Sequence, residues 1–288
     1  MARLERGRYL TEHVTLCFDC HSRVDWKAPG GPVVAGTKGG GGPFPETNLP
    51  FPLNAPNISP DRETGAGTWT DAQLARAIRE GLGYDGRVLF PGMPYPMFHH
   101  LSDEDLAAVI AYIRSLSPIH NEIPKTPLPA ELQQVLKPMP ITGPVAPPDF
   151  SDPVKRGAYL VTIGLCNDCH TPMDEKGQPM TALFLAGGRP LVGDWGVLAS
   201  ANITPDASGI AYYDEKLFLQ VMRTGKVGAR QLNSIMRWGS YRGMMDQDLK
   251  AIFAYLRTLK PVQHKVDNTE PPTYCKLCRQ KHGYGDRN

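Results

Sequence analysis

No stretch of the 288-residue chain approaches the ~20 consecutive apolar residues that a membrane-spanning helix needs. Its most apolar segment, Leu106 to Ile113, sits inside an amphipathic helical pattern, so no membrane span is expected in this chain. An excess of one charge is also missing, since 31 Lys and Arg face 29 Asp and Glu for a net charge of +2. With no long basic run and no aromatic residues interleaved with basic ones, an electrostatic grip on nucleic acid has no support. Met1 to Gly7 lack the apolar core of a secretory signal yet run straight into domain sequence, so either a leader was removed or the start is incomplete.

What is present describes a globular protein able to bury a core: 41% hydrophobic and 21% charged residues. At about 100 to 200 residues per domain, the length suggests two domains. Glycine (29) and proline (28) are abundant and concentrate at 29–60, 118–148 and near the C-terminus, which predicts long irregular loops. Such a chain is well ordered when a large rigid group replaces part of its core. A covalently held cofactor would do that.

The six cysteines form three Cys-x-x-Cys pairs. Two continue into histidine: Cys17-Phe18-Asp19-Cys20-His21 and Cys166-Asn167-Asp168-Cys169-His170. This is the c-type heme attachment signature. Its spacing lets two thiols add to the two vinyl groups on one edge of the porphyrin, while the next imidazole reaches the iron. A disulfide, a thioredoxin-like redox pair or half of a zinc site are the alternatives for one isolated match, and two matches in equivalent contexts leave them little room.

The contexts are equivalent because the chain repeats itself. Arg6-Gly7-Arg8-Tyr9-Leu10 returns as Arg156-Gly157-Ala158-Tyr159-Leu160, and Asn57-Ile58-Ser59-Pro60-Asp61 as Asn202-Ile203-Thr204-Pro205-Asp206. Trp69-Thr70-Asp71, ending at Gly81, returns as Tyr213-Asp214-Glu215, ending at Gly225. Asp105-Leu106 through Leu116 returns as Asp248-Leu249 through Leu259. Each copy predicts three helices. In the first copy these span roughly 3–16, then 70–80 with Thr70 as N-cap and Gly81 as stop, then a helix from Ser102, where Ser102-x-x-Asp105 resembles a capping box. Leu106, Val109, Ile110, Ile113 and Leu116, with Leu249, Ile252, Phe253, Leu256 and Leu259, mark core stripes. Gly7 and Gly157 are expected to let the first helix cross closely over Tyr112 and Tyr255.

With these elements in hand, each half resembles a class I cytochrome c domain. The set is similar to the heme domains in cytochrome subunits of periplasmic alcohol, aldehyde and gluconate dehydrogenases, over about 1–120 and 151–262. The resemblance implies an all-α, loop-rich fold of two tandem class I cytochrome c domains, 1–120 and 151–262, each wrapped around one covalent heme c. A Pro-rich linker, 121–150, with a short helical candidate at Ala130 to Leu136, joins them. A tail, 263–288, follows. Two heme c groups are thus expected, thioether-linked through Cys17 and Cys20 and through Cys166 and Cys169, with His21 and His170 on the irons. Periplasmic maturation is implied, and so is a His and Met ligand pair, which raises the reduction potential and leaves no open iron position.

The repeat selects among the methionines. Met93 stands thirteen residues before Leu106, and Met236 thirteen before Leu249. Met97 falls opposite Ser240, while Met244 and Met245 fall at the start of the last helix. Met93-Pro94 also matches the family's Met-Pro loop, whereas Arg237 replaces that proline in the second copy. Met93 and Met236 are therefore the expected sixth ligands.

The expected function is that of an electron carrier, not an enzyme, passing electrons between a dehydrogenase or quinol-oxidising complex and a downstream acceptor, either free or as a subunit of a dehydrogenase complex. A diheme peroxidase is the alternative, and methionine in both halves argues against it. The partners are redox proteins. Residues 1–120 hold 11 basic against 13 acidic side chains and residues 151–262 hold 13 against 10, so the second half is expected to dock the more acidic partner.

His13, His99, His100, His120 and His264 read as solvated or hydrogen-bonded surface histidines. Trp26, Trp69, Trp195 and Trp238 read as packing residues, and the Gly36 to Gly42 run as a flexible loop without the Lys-Ser/Thr ending of a phosphate loop. Cys275-Lys276-Leu277-Cys278 is followed by Arg279, so it reads as a disulfide, with a metal site of Cys275, Cys278 and His282 as the sharper alternative.

Overall fold

The two repeated Arg-Gly segments open two helices that each lie on the last helix of their own half. In the computed structural model, which describes residues 2–44, 49–193, 196–228 and 230–266 and the backbone of 273–274 and 281–282, these are α1 (Ala2–Tyr9), packed on α3 (Asp103–Arg114), and α4 (Pro153–Ile163), packed on α6 (Asp246–Thr258). The approach is as close as backbone allows. A methyl group added at Gly7 would land on the Ala108 carbonyl and the Tyr112 Cβ, and one at Gly157 on the Ala251 carbonyl and the Tyr255 Cβ. Between these helices lie α2 (Asp71–Glu80) and α5 (Glu215–Thr224). Thr70 caps α2 in a full capping box with Gln73, Asp214 caps α5, and Gly81 and Gly225 end them in the left-handed conformation. Strands are two to four residues long and occur only as antiparallel pairs among the described residues.

Three local expectations need correction. The helix expected over 3–16 changes pitch: α1 gives way to a π-helical turn at Leu10–Val14. At this turn the Thr11 hydroxyl donates to the Gly7 carbonyl at 2.9 Å. The box expected at Ser102 is only half formed. Ser102 accepts from the Asp105 backbone N–H, but the Asp105 carboxylate accepts from Arg6 and from Tyr159 of the other half instead of reaching back. Of the Gly36 to Gly42 run, Gly36 is exposed, but Gly39 to Gly42 are buried and packed instead of forming a loose loop. Gly39 accepts from Ile58 and Ser59, and Gly41 donates to the His21 carbonyl. Gly39 and Gly41 have φ of 84° and 74°, a conformation open to glycine at little cost.

Segment 121–150 is pinned to the first half. Thr126 bonds both the N–H and the carbonyl of Asn54, Lys125 pairs with Asp85 at 2.7 Å, Met139 donates to Glu80, and Val145 and Asp103 bond each other. Its short helix runs Ala130–Val135. Buried residues of both halves, among them Leu10, Val14, Leu160 and Ile163, form one continuous core. Trp195 lies outside the described residues, as do Cys275, Cys278 and the side chain of His282. The tail's Thr273–Tyr274 pairs antiparallel with Lys281–His282. No helix among the described residues is long and apolar enough to cross a membrane.

Candidate cofactor site

Each Cys-x-x-Cys-His motif forms a short helical turn, Cys17–Cys20 and Cys166–His170, entered through a leucine in the left-handed conformation: Leu16 at φ 54° and Leu165 at φ 61°. For a side chain with a Cβ this conformation costs about 1–2 kcal/mol, and its occurrence at matched positions turns both motifs the same way. His21 and His170 are buried. The Nδ1–H of His21 donates to the Pro56 carbonyl at 2.8 Å, and that of His170 to the Ala201 carbonyl at 2.7 Å. A carbonyl can only accept, so each ring carries its proton on Nδ1 and keeps the Nε2 lone pair for a metal. Burial lowers both imidazole pKa values, which keeps that lone pair available.

The carbonyls are themselves held. One residue after each acceptor stands the repeated asparagine. Asn57 donates to Ile119 and accepts from Ser59, while Asn202 donates to Val262 and accepts from Thr204. Thus the repeated Asn-Ile motif ties the loop to the chain leaving the last helix and aims Pro56 and Ala201 at the histidines. Sequence reasoning missed these two carbonyls, although the residue before each repeated asparagine was the signal.

The four motif cysteines are unbridged. Burial pushes the thiol of Cys17 up to about 11 and those of Cys20, Cys166 and Cys169 up to about 12, so all four are protonated at neutral pH. No group of three His, Cys, Asp or Glu able to hold a bare metal ion occurs among the described residues.

Both motifs open on one cavity of about 860 Å³, at the large end of ligand sites. Cys17, Cys20, His21, Cys166, Cys169 and His170 all line it, with a wall of apolar side chains from Leu74, Ile78, Phe98, Phe218, Val221 and Ile252. Ile123 to Leu128 of the linking segment close the first half's end. Trp26 and Trp69 line it too, and Trp69 lies on Tyr84 with ring centroids 4.5 Å apart.

Met93 and Met236 both line the cavity, each half-buried. Met97 does not; its Sδ accepts from the Asn167 amide at 3.1 Å. In the second half Met244 and Met222 also reach the lining, whereas Met245 is exposed at the N-cap of α6. Of the histidines read as surface groups, His100 and His120 are exposed. His13 bonds the Ser240 carbonyl across the halves, His99 faces the Arg79 carbonyl at 3.3 Å, and His264 the Ala186 carbonyl at 3.0 Å.

Imidazoles with a free Nε2, paired half-buried thiols beside them, and a thioether in the same apolar cavity suit a covalently held heme, and this combination defines a heme protein of the c type. The sequence model of the family described as Cytochrome c matches residues 5–117. A diheme cytochrome c-type of Cereibacter sphaeroides is 30% identical over 220 residues, covering 72% of each chain. The fructose dehydrogenase cytochrome subunit of Gluconobacter japonicus is 29% identical over 272 residues, 89% of this chain and 52% of that one. The gluconate 2-dehydrogenase cytochrome c subunit of Pantoea cypripedii is 29% identical over 280 residues, 90% of this chain and 60% of that one. The chain belongs to the cytochrome c family, a family of electron-carrying proteins with covalent heme c. It spans little more than half the length of the dehydrogenase subunits it matches.

Proposed function

We propose that the chain is a diheme electron-transfer protein of the periplasm. In this reading Cys17 and Cys20 attach the first heme, with His21 and Met93 as its axial ligands. Cys166 and Cys169 attach the second, with His170 and Met236. Single electrons pass between a dehydrogenase or quinol-oxidising complex and a downstream acceptor. The supporting observation is the shared cavity, onto which both histidines turn with Nδ1 already bonded and onto which Met93 and Met236 also open.

Bound heme c supplies reversible one-electron exchange at iron. The protein does the rest. The Pro56 and Ala201 carbonyls fix each imidazole's tautomer and plane. The apolar walls exclude water, and a thioether ligand favours reduced iron. A methionine for each iron leaves no open position for peroxide, which argues against the peroxidase alternative. Relatives named as dehydrogenase cytochrome subunits support a dehydrogenase as donor. The more basic second half fits an acidic partner, whose association would slow as salt rises.

Intact mass after denaturation tests the count, with two heme additions expected. A single addition, or a chain in which Met93→Ala and Met236→Ala both keep the long-wavelength band of methionine-ligated ferric heme, rejects the reading.

A further inference from the structure

Arg237 follows Met236 directly, and its side chain belongs to the other half of the molecule. Its Nε donates to Asp19 Oδ2 at 2.8 Å and its Nη2 to the Gly31 carbonyl at 3.2 Å. Its guanidinium carbon sits 4.5 Å from the centre of the Trp26 ring. Asp19 lies between Cys17 and Cys20, inside the first attachment motif, and its other oxygen accepts from Ser240 at 2.9 Å. Both partners are buried, each 8% exposed. Around them the segment is seated closely, with the Gly30 N–H donating to the Ser234 hydroxyl at 3.1 Å and the Gly239 backbone lying against the Gly30 carbonyl.

The arrangement is not mirrored. Asp168, the counterpart of Asp19, pairs with Arg189 of its own half at 3.0 Å. The counterpart of Arg237 is Pro94, which has no cation to offer. Arg237 also holds φ at 60°, a left-handed conformation that disfavours a side chain bearing Cβ. The short helical turn Ser234–Met236 ends there. Its backbone bonds Ser234, Ser240 and Tyr241 of its own segment, while every contact that holds its side chain comes from residues 19–31.

We infer that Asp19, a residue of the first attachment motif, is the positioning residue for the methionine loop of the second heme, acting through Arg237. The dependence runs one way, since no cation next to Met93 reaches Asp168. This rests on Met236 being the second axial ligand. The pair also joins the two sites by a short route, because Asp19 neighbours a thioether cysteine of one heme and Arg237 neighbours the ligand of the other. An ion pair this deeply buried is costly to break by removing one partner, so the loop is tightly conditional on it.

The experiment uses the full heme-loaded chain and reads heme content, the long-wavelength ferric methionine band and the two reduction potentials. Asp19→Ala and Arg237→Gln are each expected to keep both hemes, lose about half of the band (one methionine in two) and lower one potential. Arg237→Lys should retain more of the band than Arg237→Gln. Asp168→Asn and Tyr9→Phe, the latter loosening the contact between halves elsewhere, should leave the band whole. If Asp19→Ala takes up heme poorly, the isosteric Asp19→Asn, which can still meet Ser240, gives the same comparison. A full band in Asp19→Ala or Asp19→Asn, or an equal loss in Asp168→Asn or Tyr9→Phe, overturns the inference. Met236→Ala separates the two ideas: if it keeps the whole band the ligand assignment fails, and if it loses half while the Asp19 variants lose none, only the positioning role fails.

Discussion

The hydroxyl of Tyr9 donates to the carboxylate of Asp248, 239 positions further along the chain. Tyr159, its counterpart in the repeat, donates to Asp105 at 2.8 Å. Each carboxylate also pairs with an arginine of its own half, Arg156 with Asp248 and Arg6 with Asp105 at 2.8 Å. The halves therefore meet as two copies of one surface, each offering the same tyrosine to the other's aspartate, in the manner of an isologous dimer.

Removing one carboxylate should cost more than removing one hydroxyl. Asp248→Ala leaves Arg156 unpaired where both side chains are largely buried, and such losses run to about 3–5 kcal/mol. Tyr9→Phe removes one hydrogen bond, worth about 0.5–1.5 kcal/mol, or up to about 3 with a charged partner. Denaturant unfolding of the heme-loaded variants measures both. Equal effects would mean that the tyrosines, and not the ion pairs, carry the contact between halves.

Alanine at Gly7 or Gly157 should destabilise, although alanine is ordinarily better than glycine inside a helix by about 1 kcal/mol. The added methyl would meet a carbonyl on the crossing helix. Backbone cannot rotate away as a side chain does, so an overpacking cost of about 1–3 kcal/mol or more wins. A lower thermal midpoint for both variants is the expected result, and a rise in either would mean that the helices separate easily.

These glycines were legible in the sequence because a helical repeat brings Gly7 and Gly157 into the same frame as Tyr112 and Tyr255. The attachment motifs, Thr70 and Gly81 were legible for the same reason: each is a local pattern with a local cause. Asp19 was not, since its partner Arg237 lies 218 positions away and no periodicity links them. Asp105 misled for a related reason. Its spacing from Ser102 fits a capping box, but a guanidinium and a tyrosine hydroxyl compete for the carboxylate and win. The packing of Gly39 to Gly42 escaped notice because composition signals only a lack of side chains, and that lack serves equally for freedom or for close approach.

Asn57→Ala should raise the reduction potential of one heme. Without its bonds to Ile119 and Ser59 the Pro56 carbonyl is less firmly aimed at His21. A weaker bond at Nδ1 makes the imidazole a poorer donor, which favours the reduced state. Asn202→Ala should do the same at the other heme. Potentiometric titration checks this, and a fall in potential would contradict it.

Acid should loosen the turns that follow these asparagines. Backbone and hydroxyl hydrogen bonds from Thr64 hold the Asp61 carboxyl below its ordinary range, and the hydroxyl and N–H of Ser208 do so for Asp206. A depressed folded value means the stabilisation is present above the unfolded value, near 3.9, and is lost as pH falls through the lower folded one. Thermal midpoints should thus decline below about pH 4, less steeply in Asp61→Asn and Asp206→Asn. An unchanged slope in the double variant would place the acid sensitivity elsewhere.

The segment Ile123–Leu128 forms part of the cavity wall on the first half's side, though it follows the repeat unit. The first half is consequently not a detachable bead. Cutting the chain after residue 120 would leave its interior open to water on one side, so shorter versions of this protein, natural or made, need a substitute for that strap before their first chamber can stay dry.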